Sequence, residues 1–399
     1  MEYIKGKPYF CFSEEKIKQY PYLEKDLYCD ILIVGGGIDG AIANYYLSQN
    51  HNVALVDKSR FGMSCTSCAT ALLEYQLDEF ADDLKDYLTD SEISLAYDLG
   101  KKSIRKMQKF IAKHGNFCHF LQKPTFLYSK TKKASKDILS EYEFRKAHNF
   151  DCKLIEKNNK LFPFDIENGI LAEDGGAEFN PYLFEKQMIE NSKNQNQIFE
   201  NTKIEKLEKI TQGYIASTNF GEKIYCKKIV IATGFNWELL QRTDLCERFT
   251  SYSVVTAPIK NISWYKNALV HDCEEPYHYM RILPDKRIIF GGEDTLLKQK
   301  SVSEKLANKK YDKLKKDLKK LLKNENLQVD YKFCGAFGTT NNNMGLIGES
   351  KFDDDILLFI SCGANGIINA MIGVEVLEDI LNKKTNEYAK VFDPKREVW

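Results

Sequence analysis

The sequence has no charge excess, no long apolar run and no secretory start. Its 399 residues carry 57 Lys and Arg against 57 Asp and Glu. A balanced chain lacks the basic field that draws proteins to nucleic acid or anionic lipid, so neither partner is expected. No uninterrupted apolar run of ~18 residues occurs, which argues against a transmembrane helix. The opening segment, Met1–Lys25, is charged and has no apolar stretch of signal-peptide length. Eleven cysteines at irregular spacings in such a chain fit reduced thiols and a cytoplasmic location. The single C-x-x-C, Cys65–Cys68, has no second pair and no nearby His pair, so no metal site is expected and both thiols read as small packing residues. No internal repeat of solenoid length is present.

What is present is ordinary globular material. Apolar residues make up 43% and charged residues 29%, and the length suits two or three domains. The 22 Tyr and 24 Phe are compatible with an aromatic-lined pocket.

The clearest local pattern lies near the start. Residues 29–34 form a short apolar run that stops at Gly35-Gly36-Gly37, and Ile38 to Asn50 reads as a helix with small residues on one side. Residues 52–57 read as a second buried strand ending in Asp57. This is a βαβ unit carrying G-x-G-x-x-G at its first turn and an acid at the end of its second strand. Gly35 permits the tight turn, Gly37 lets backbone approach a pyrophosphate, and Gly40 lets helix pack on strand. The helix start offers free N–H groups and a positive dipole end to phosphates. Asp57 is placed to accept from an adenosine ribose, and its charge would repel a 2′-phosphate.

Further helices are expected over 78–114, 182–192, 305–326 and 367–381. Strands are expected over 204–218, 222–233, 251–296 and 356–361. Lys305–Asn326 carries nine Lys opposite Tyr311, Leu314, Leu318, Leu321 and Leu322. That pattern reads as a solvated face over an apolar stripe packed on a sheet, with a membrane-surface helix as the alternative.

Widely separated pieces, Gly35–Gly40, Ala232-Thr233-Gly234 and Gly363–Gly366, suit a long cofactor laid across one interrupted domain. With Asp57-Lys58, Gly62–Asp78, Glu173–Gly176 before Asn180-Pro181, Gly291–Asp294, Phe337–Thr340 and Phe392–Arg396, the chain resembles the FAD-dependent oxidoreductases of the D-amino-acid oxidase type. These include glycine and sarcosine oxidases and glycerol-3-phosphate dehydrogenase. The resemblance implies an α/β (α+β two-domain) fold, with a Rossmann-like FAD-binding domain beside a second, mixed-sheet substrate domain. The FAD-binding part is expected over 1–115, 178–250 and 335–399, and the substrate part over 116–177 and 251–334. Some relatives carry a C-terminal Rieske module, but no Cys/His spacing here supports one.

The resemblance implies non-covalent FAD held by Gly35, Gly37, Ile38, Asp39, Gly40, Asp57, Lys58, Ser64, Thr66, Ser67, Thr233, Gly234, Gly363, Asn365, Gly366 and Ile367. It implies hydride transfer from a carbon bearing an amine to the flavin, with a small amine or amino acid as substrate. Oxidation of a C–OH bond in a glycerol phosphate or hydroxy acid is the alternative, and a non-catalytic flavin-binding role the third reading. Oxygen or a carrier accepts the electrons. The helix after Gly366 is expected to aim its N-terminus at the end of the flavin that gains negative charge on reduction. Relatives that oxidise amino acids grip the substrate carboxylate with an arginine where this chain has Phe337. Tyr277, Tyr279 and Arg281 alternate along an expected strand and share one face. Tyr279 and Arg281 are therefore the candidates for positioning substrate. Because the two share a strand face, Arg281 is expected to reach the cavity and supply a substitute clamp for a substrate that carries an acid, placed differently. If Arg281 points away instead, the pocket is aromatic and a neutral or cationic amine is expected.

Overall fold

The computed structural model describes residues 3–12, 18–157, 159–241, 246–298, 301–340, 342–363 and 365–396. Two sheets organise it. The smaller has Leu27–Val34 at its centre, with Val53–Val56 and then Ile198–Phe199 parallel on one side. Lys223–Ile231 and Ile356–Ile360 lie parallel on the other side. Leu346–Glu349 closes that edge antiparallel, and Ile204–Ile210 with Gly213–Thr218 adds a hairpin.

Parallel strands are covered on both faces, so they read as continuous apolar runs. Here alternate residues enter different cores. Ile31, Ile33, Val53, Leu55 and Val230 face the helices Ile38–Leu47 and Gly366–Leu381 through Ala41, Met371 and Val374. Leu32, Val34, Ala54, Val56 and Ile229 face the opposite core. Each fully buried Leu, Ile or Val contributes roughly 1.5–3 kcal/mol.

The larger sheet has ten strands. Its order is Ile4–Gly6, Val329–Thr339, Glu247–Thr256, Ile288–Leu296, His278–Ile282, Leu269–Asp272, Leu121–Ser129, Asn168–Glu178 and Leu72–Glu74, with Lys153–Glu156 paired beside Asn168–Glu178. It is mixed, because Leu269–Asp272 runs parallel to Leu121–Ser129 while its other pairs are antiparallel.

The expected divisions at 250/251 and 334/335 fall inside Glu247–Thr256 and Val329–Thr339. Ile4–Gly6 and Leu72–Glu74, expected on the cofactor side, belong to the larger sheet. These strands are long enough to reach from one part of the molecule into the other.

The expected helix over 78–114 is interrupted. A short turn, Ala81–Leu84, is followed by the long helix Asp90–His114. Thr89 accepts from Glu92 N–H while the Glu92 carboxylate accepts from Thr89 N–H, a capping box that fixes the start. The Lys-rich helix Glu304–Leu321 packs Ala307, Tyr311, Leu314 and Leu318 on the larger sheet, and Lys310 and Lys313 pair with Glu293. That places it as a sheet-packed helix. Among the described residues no helix is long and apolar enough to cross a membrane.

Candidate active site

A cavity of about 1180 Å³ is lined from both sheets. One end begins at the glycine turn. Gly35, Gly37, Ile38 and Asp39 line it, and the Ile38 N–H donates to Thr66 Oγ1 at 3.1 Å. The Asp57 carboxylate accepts from Gly36 N–H and Ser59 N–H, each at 2.7 Å. Burial pushes its pKa up, and those two N–H groups and Lys58 pull it back. A carboxylate offers about four acceptor sites, so two remain for ribose hydroxyls. Lys58 and Ser64 also line this end.

Gly40 does not line the cavity. A Cβ there would lie 1.8 Å from Gly35 O, so its absence is what lets the helix sit against the turn. Ser67 is also turned away, donating from its hydroxyl to Ser64 O at 2.7 Å. The Asp39 side chain serves a different purpose from ribose or phosphate binding. It accepts from Ser361 N–H at 3.1 Å and from the Ser361 hydroxyl, tying the glycine turn to the chain after Ile356–Ile360. Burial lifts its pKa to about 7, with both Ser361 bonds opposing the rise.

Thr233 and Gly234 line the next part, with open space around Gly234. Gly363, Asn365, Gly366 and Ile367 follow; Ala364 lies outside the described residues. The helix Gly366–Leu381 thus starts at the cavity, and Asn365 Nδ2 anchors the preceding loop on Gln76 O at 2.6 Å. Two helix starts with free N–H groups, small residues and an acceptor carboxylate beside the turn suit an adenine dinucleotide.

The other end lies against the larger sheet. Tyr277 and Tyr279 line it, with ring centroids 6.2 Å apart. Gly291 sits opposite Tyr279 in the ladder, and a Cβ there would lie 2.4 Å from the Tyr279 ring. The Tyr279 hydroxyl meets Ser251 Oγ at 3.1 Å and Ser253 Oγ at 3.3 Å. Phe337 lines the cavity beside Phe249, ring centroids 5.9 Å apart, so the position where an arginine was of interest is aromatic.

Arg281 is not brought into the cavity. It is 2% exposed, and its Nε donates to Thr70 O at 2.9 Å, Nη1 to Glu178 at 3.2 Å and Nη2 to Phe179 O at 2.9 Å. It shares the Tyr279 face, but the face continues ~7 Å beyond that ring and leaves the cavity behind. Arg281 is a fastening between strands, and Tyr279 alone of the two expected positioning residues faces the cavity.

Sequence reasoning assigned no role to Asp294. Its Oδ2 accepts from the Tyr277 hydroxyl at 2.7 Å within the cavity lining. The segment Gly291–Asp294 was visible, but only the ladder shows which of its side chains faces Tyr277. Cys65 and Cys68 also line the cavity; burial pushes the Cys65 thiol up to about 11 and raises Cys68 well above its ordinary value, so both are thiols at neutral pH.

Fold and cavity together define a dinucleotide-binding protein with a substrate chamber closed by a mixed sheet. The family profile for FAD dependent oxidoreductase (DAO) matches residues 30–379, and the chain belongs to that family. It is an FAD-dependent oxidoreductase. Its relatives include YhfW of Bacillus subtilis (strain 168), named as a Rieske 2Fe-2S iron–sulfur protein, at 22% identity over 95% of this chain and 74% of that one. Among solved structures, glycine oxidase from Geobacillus kaustophilus superposes with a TM-score of 0.79 at 17% identity, covering 94% of this chain and all of that one. The FAD-bound L-alpha-glycerophosphate oxidase from Mycoplasma pneumoniae gives 0.75 at 18% identity, covering 89% and 95%.

Proposed function

We propose that the protein oxidises a C–N bond in a small amine, with non-covalently held FAD as the oxidant. The carrying observation is one continuous cavity that runs from the glycine turn and Asp57, past the Gly366 helix start, to the Tyr277–Tyr279 face. FAD held there would supply the acceptor for a hydride from the carbon bearing nitrogen. The residues do the rest. Asp57 and the glycine turn hold the adenosine half. The first N–H groups of Gly366–Leu381, which open on the cavity, would supply positive potential to a cofactor that gains negative charge on reduction. Tyr279, fixed by Ser251 and Ser253, and Phe337 with Phe249 wall the substrate and keep water out.

The lining disfavours the C–OH alternative. Carboxylates outnumber Lys and Arg several-fold around the cavity, and a phosphate or hydroxy acid needs the reverse. The test is anaerobic mixing of the yellow holoprotein with panels of amines, amino acids, hydroxy acids and glycerol phosphate. Amine-dependent bleaching is expected. Bleaching by glycerol phosphate or hydroxy acids alone overturns the reading, and no bleaching by any panel favours a flavin-binding role without turnover. Acid or heat should release free FAD; flavin that stays with the denatured chain would contradict non-covalent binding.

A further inference from the structure

The charges of the chamber sort themselves once each basic group is followed to its partner. Arg145 donates from Nε to Glu141 at 2.7 Å, both side chains buried. His271 Nδ1 meets the Glu74 carboxylate at 2.9 Å. Lys58 and Lys203 belong to the adenosine end, beside Asp57 and Thr202. Arg281 is outside. Arg145 keeps Nη2 without a hydrogen bond, but its guanidinium lies against the Tyr75 and Tyr97 rings and is paired with Glu141, so among the described residues each lining cation at the substrate end already faces an acid. Burying a substrate carboxylate without a cationic partner costs several kcal/mol.

Asp294 presents the opposite case. Its Oδ2 is engaged by Tyr277, while its Oδ1 is shielded from solvent and holds no hydrogen bond within the chain. Lys310 and Lys313 pair with Glu293 rather than with Asp294. Burial raises the Asp294 carboxyl, and the Tyr277 and Ser251 hydroxyls and Lys310 oppose the rise. Tyr277 and Tyr279 add aromatic faces to the same lining, which also favour cations. Further acids line the cavity at Glu79 and Asp83. Burial pushes both carboxyls up, and neighbouring acids add to it: Asp83 acts on Glu79, and Asp137 and Asp82 act on Asp83. A lining with this sign concentrates cations.

We propose that the substrate is an amine carrying a second, protonated nitrogen and no carboxylate, and that Asp294 holds that ammonium. This rests on the reading of the chamber as an amine-oxidising flavin site. In the reaction, the oxidised carbon gives up a hydride to the flavin, its nitrogen loses a proton, and a C=N bond forms between them. The proton passes to solvent, and after release water hydrolyses the imine to an aldehyde that keeps the second nitrogen and, for a primary amine, ammonia. The ammonium at Asp294 keeps its charge throughout.

The probes are butane-1,4-diamine, butylamine, butanedioate and glycine, titrated into holoenzyme while flavin absorbance is followed. The diamine should perturb the flavin and bleach it without oxygen. Butylamine, which lacks the second nitrogen, should bind at least ~10-fold more weakly, the equivalent of one charge-assisted hydrogen bond. Butanedioate should not bind. Asp294→Asn should raise KM for the diamine by a similar factor with a smaller effect on kcat, and Asp294→Glu should recover part of it; both variants are checked for retained FAD. Glycine bleaching faster than the diamine would overturn the substrate class while leaving amine oxidation intact. Bleaching by glycerol phosphate but by no amine would overturn both. A diamine that neither bleaches nor shifts the flavin at millimolar concentration, or butylamine binding as tightly as the diamine, also overturns the proposal.

Discussion

Two buried residues near the site make opposite demands on stability. Arg281 spends its guanidinium on Thr70 O, Glu178 and Phe179 O, with burial lowering its pKa against the pull of Glu178. Removing one partner of such a pair leaves an uncompensated charge and costs about 3–5 kcal/mol. Arg281→Met is therefore expected to lower the denaturation midpoint strongly while the folded fraction keeps its KM. A changed KM at unchanged stability would place Arg281 at the substrate instead. Glu185, fully buried on the helix Pro181–Glu190, has its pKa raised by burial to about 8, with Lys186 and the Thr66 hydroxyl opposing the rise. Below the unfolded value both states are protonated. As pH rises through that value toward 8, the unfolded chain ionises freely and the folded one does not, so stability falls. Glu185→Gln removes the titration. The urea midpoint of the unmodified protein should drop between roughly pH 5 and 8, and that of the variant should drop less steeply, since Asp39 still titrates there. Equal slopes would show that Glu185 is ionised in the fold.

At the scale of elements, the terminal helix Gly366–Leu381 is the one whose placement matters electrically. Its first turn lines the cavity, and the effect of a helix end fades within a turn. Asn365→Asp adds negative charge at that end. The flavin midpoint potential is expected to move negative by ~20 mV or more, since 1.4 kcal/mol corresponds to 30 mV in a two-electron couple. An unchanged potential in a variant that retains FAD would detach this helix from flavin electronics. The start and apolar faces of several helices were legible in the chain. Asn180-Pro181 marks Pro181–Glu190, where Asn180 Oδ1 accepts from Leu183 N–H at 3.1 Å. The break before Asp90 was missed, although Thr89 and Glu92 stand at capping-box spacing, because the Leu84 and Leu88 stripe runs through it.

At the scale of the molecule, the cofactor cavity draws on both sheets, and strands such as Val329–Thr339 pass between its parts. FAD should therefore stabilise the whole chain. Adding FAD at 100 times its Kd is expected to contribute about 2.7 kcal/mol and to shift a single unfolding transition upward. Two transitions, only one of them FAD-dependent, would mean that the sheets unfold independently.

The sequence by itself determined the cofactor half. Its signals are local: a βαβ unit of about thirty residues, glycines at fixed offsets, an acid at the next strand end, and a small-residue loop opening a helix. Each is set by backbone geometry over a few residues, so spacing suffices to read it. Gly40 and Ser67 were expected to hold the cofactor, but which way they face depended on packing against Gly35 and Ser64, and both turn away from the cavity. The substrate half was decided by tertiary structure. Strand parity puts Tyr279 and Arg281 on one face, yet parity does not say where along that face the cavity ends. Likewise Asp294 meets Tyr277 only because Ile288–Leu296 pairs with His278–Ile282 in one register, with Gly292 against His278. Contacts between residues far apart in the chain fix the register, and the register fixes which charges meet a substrate.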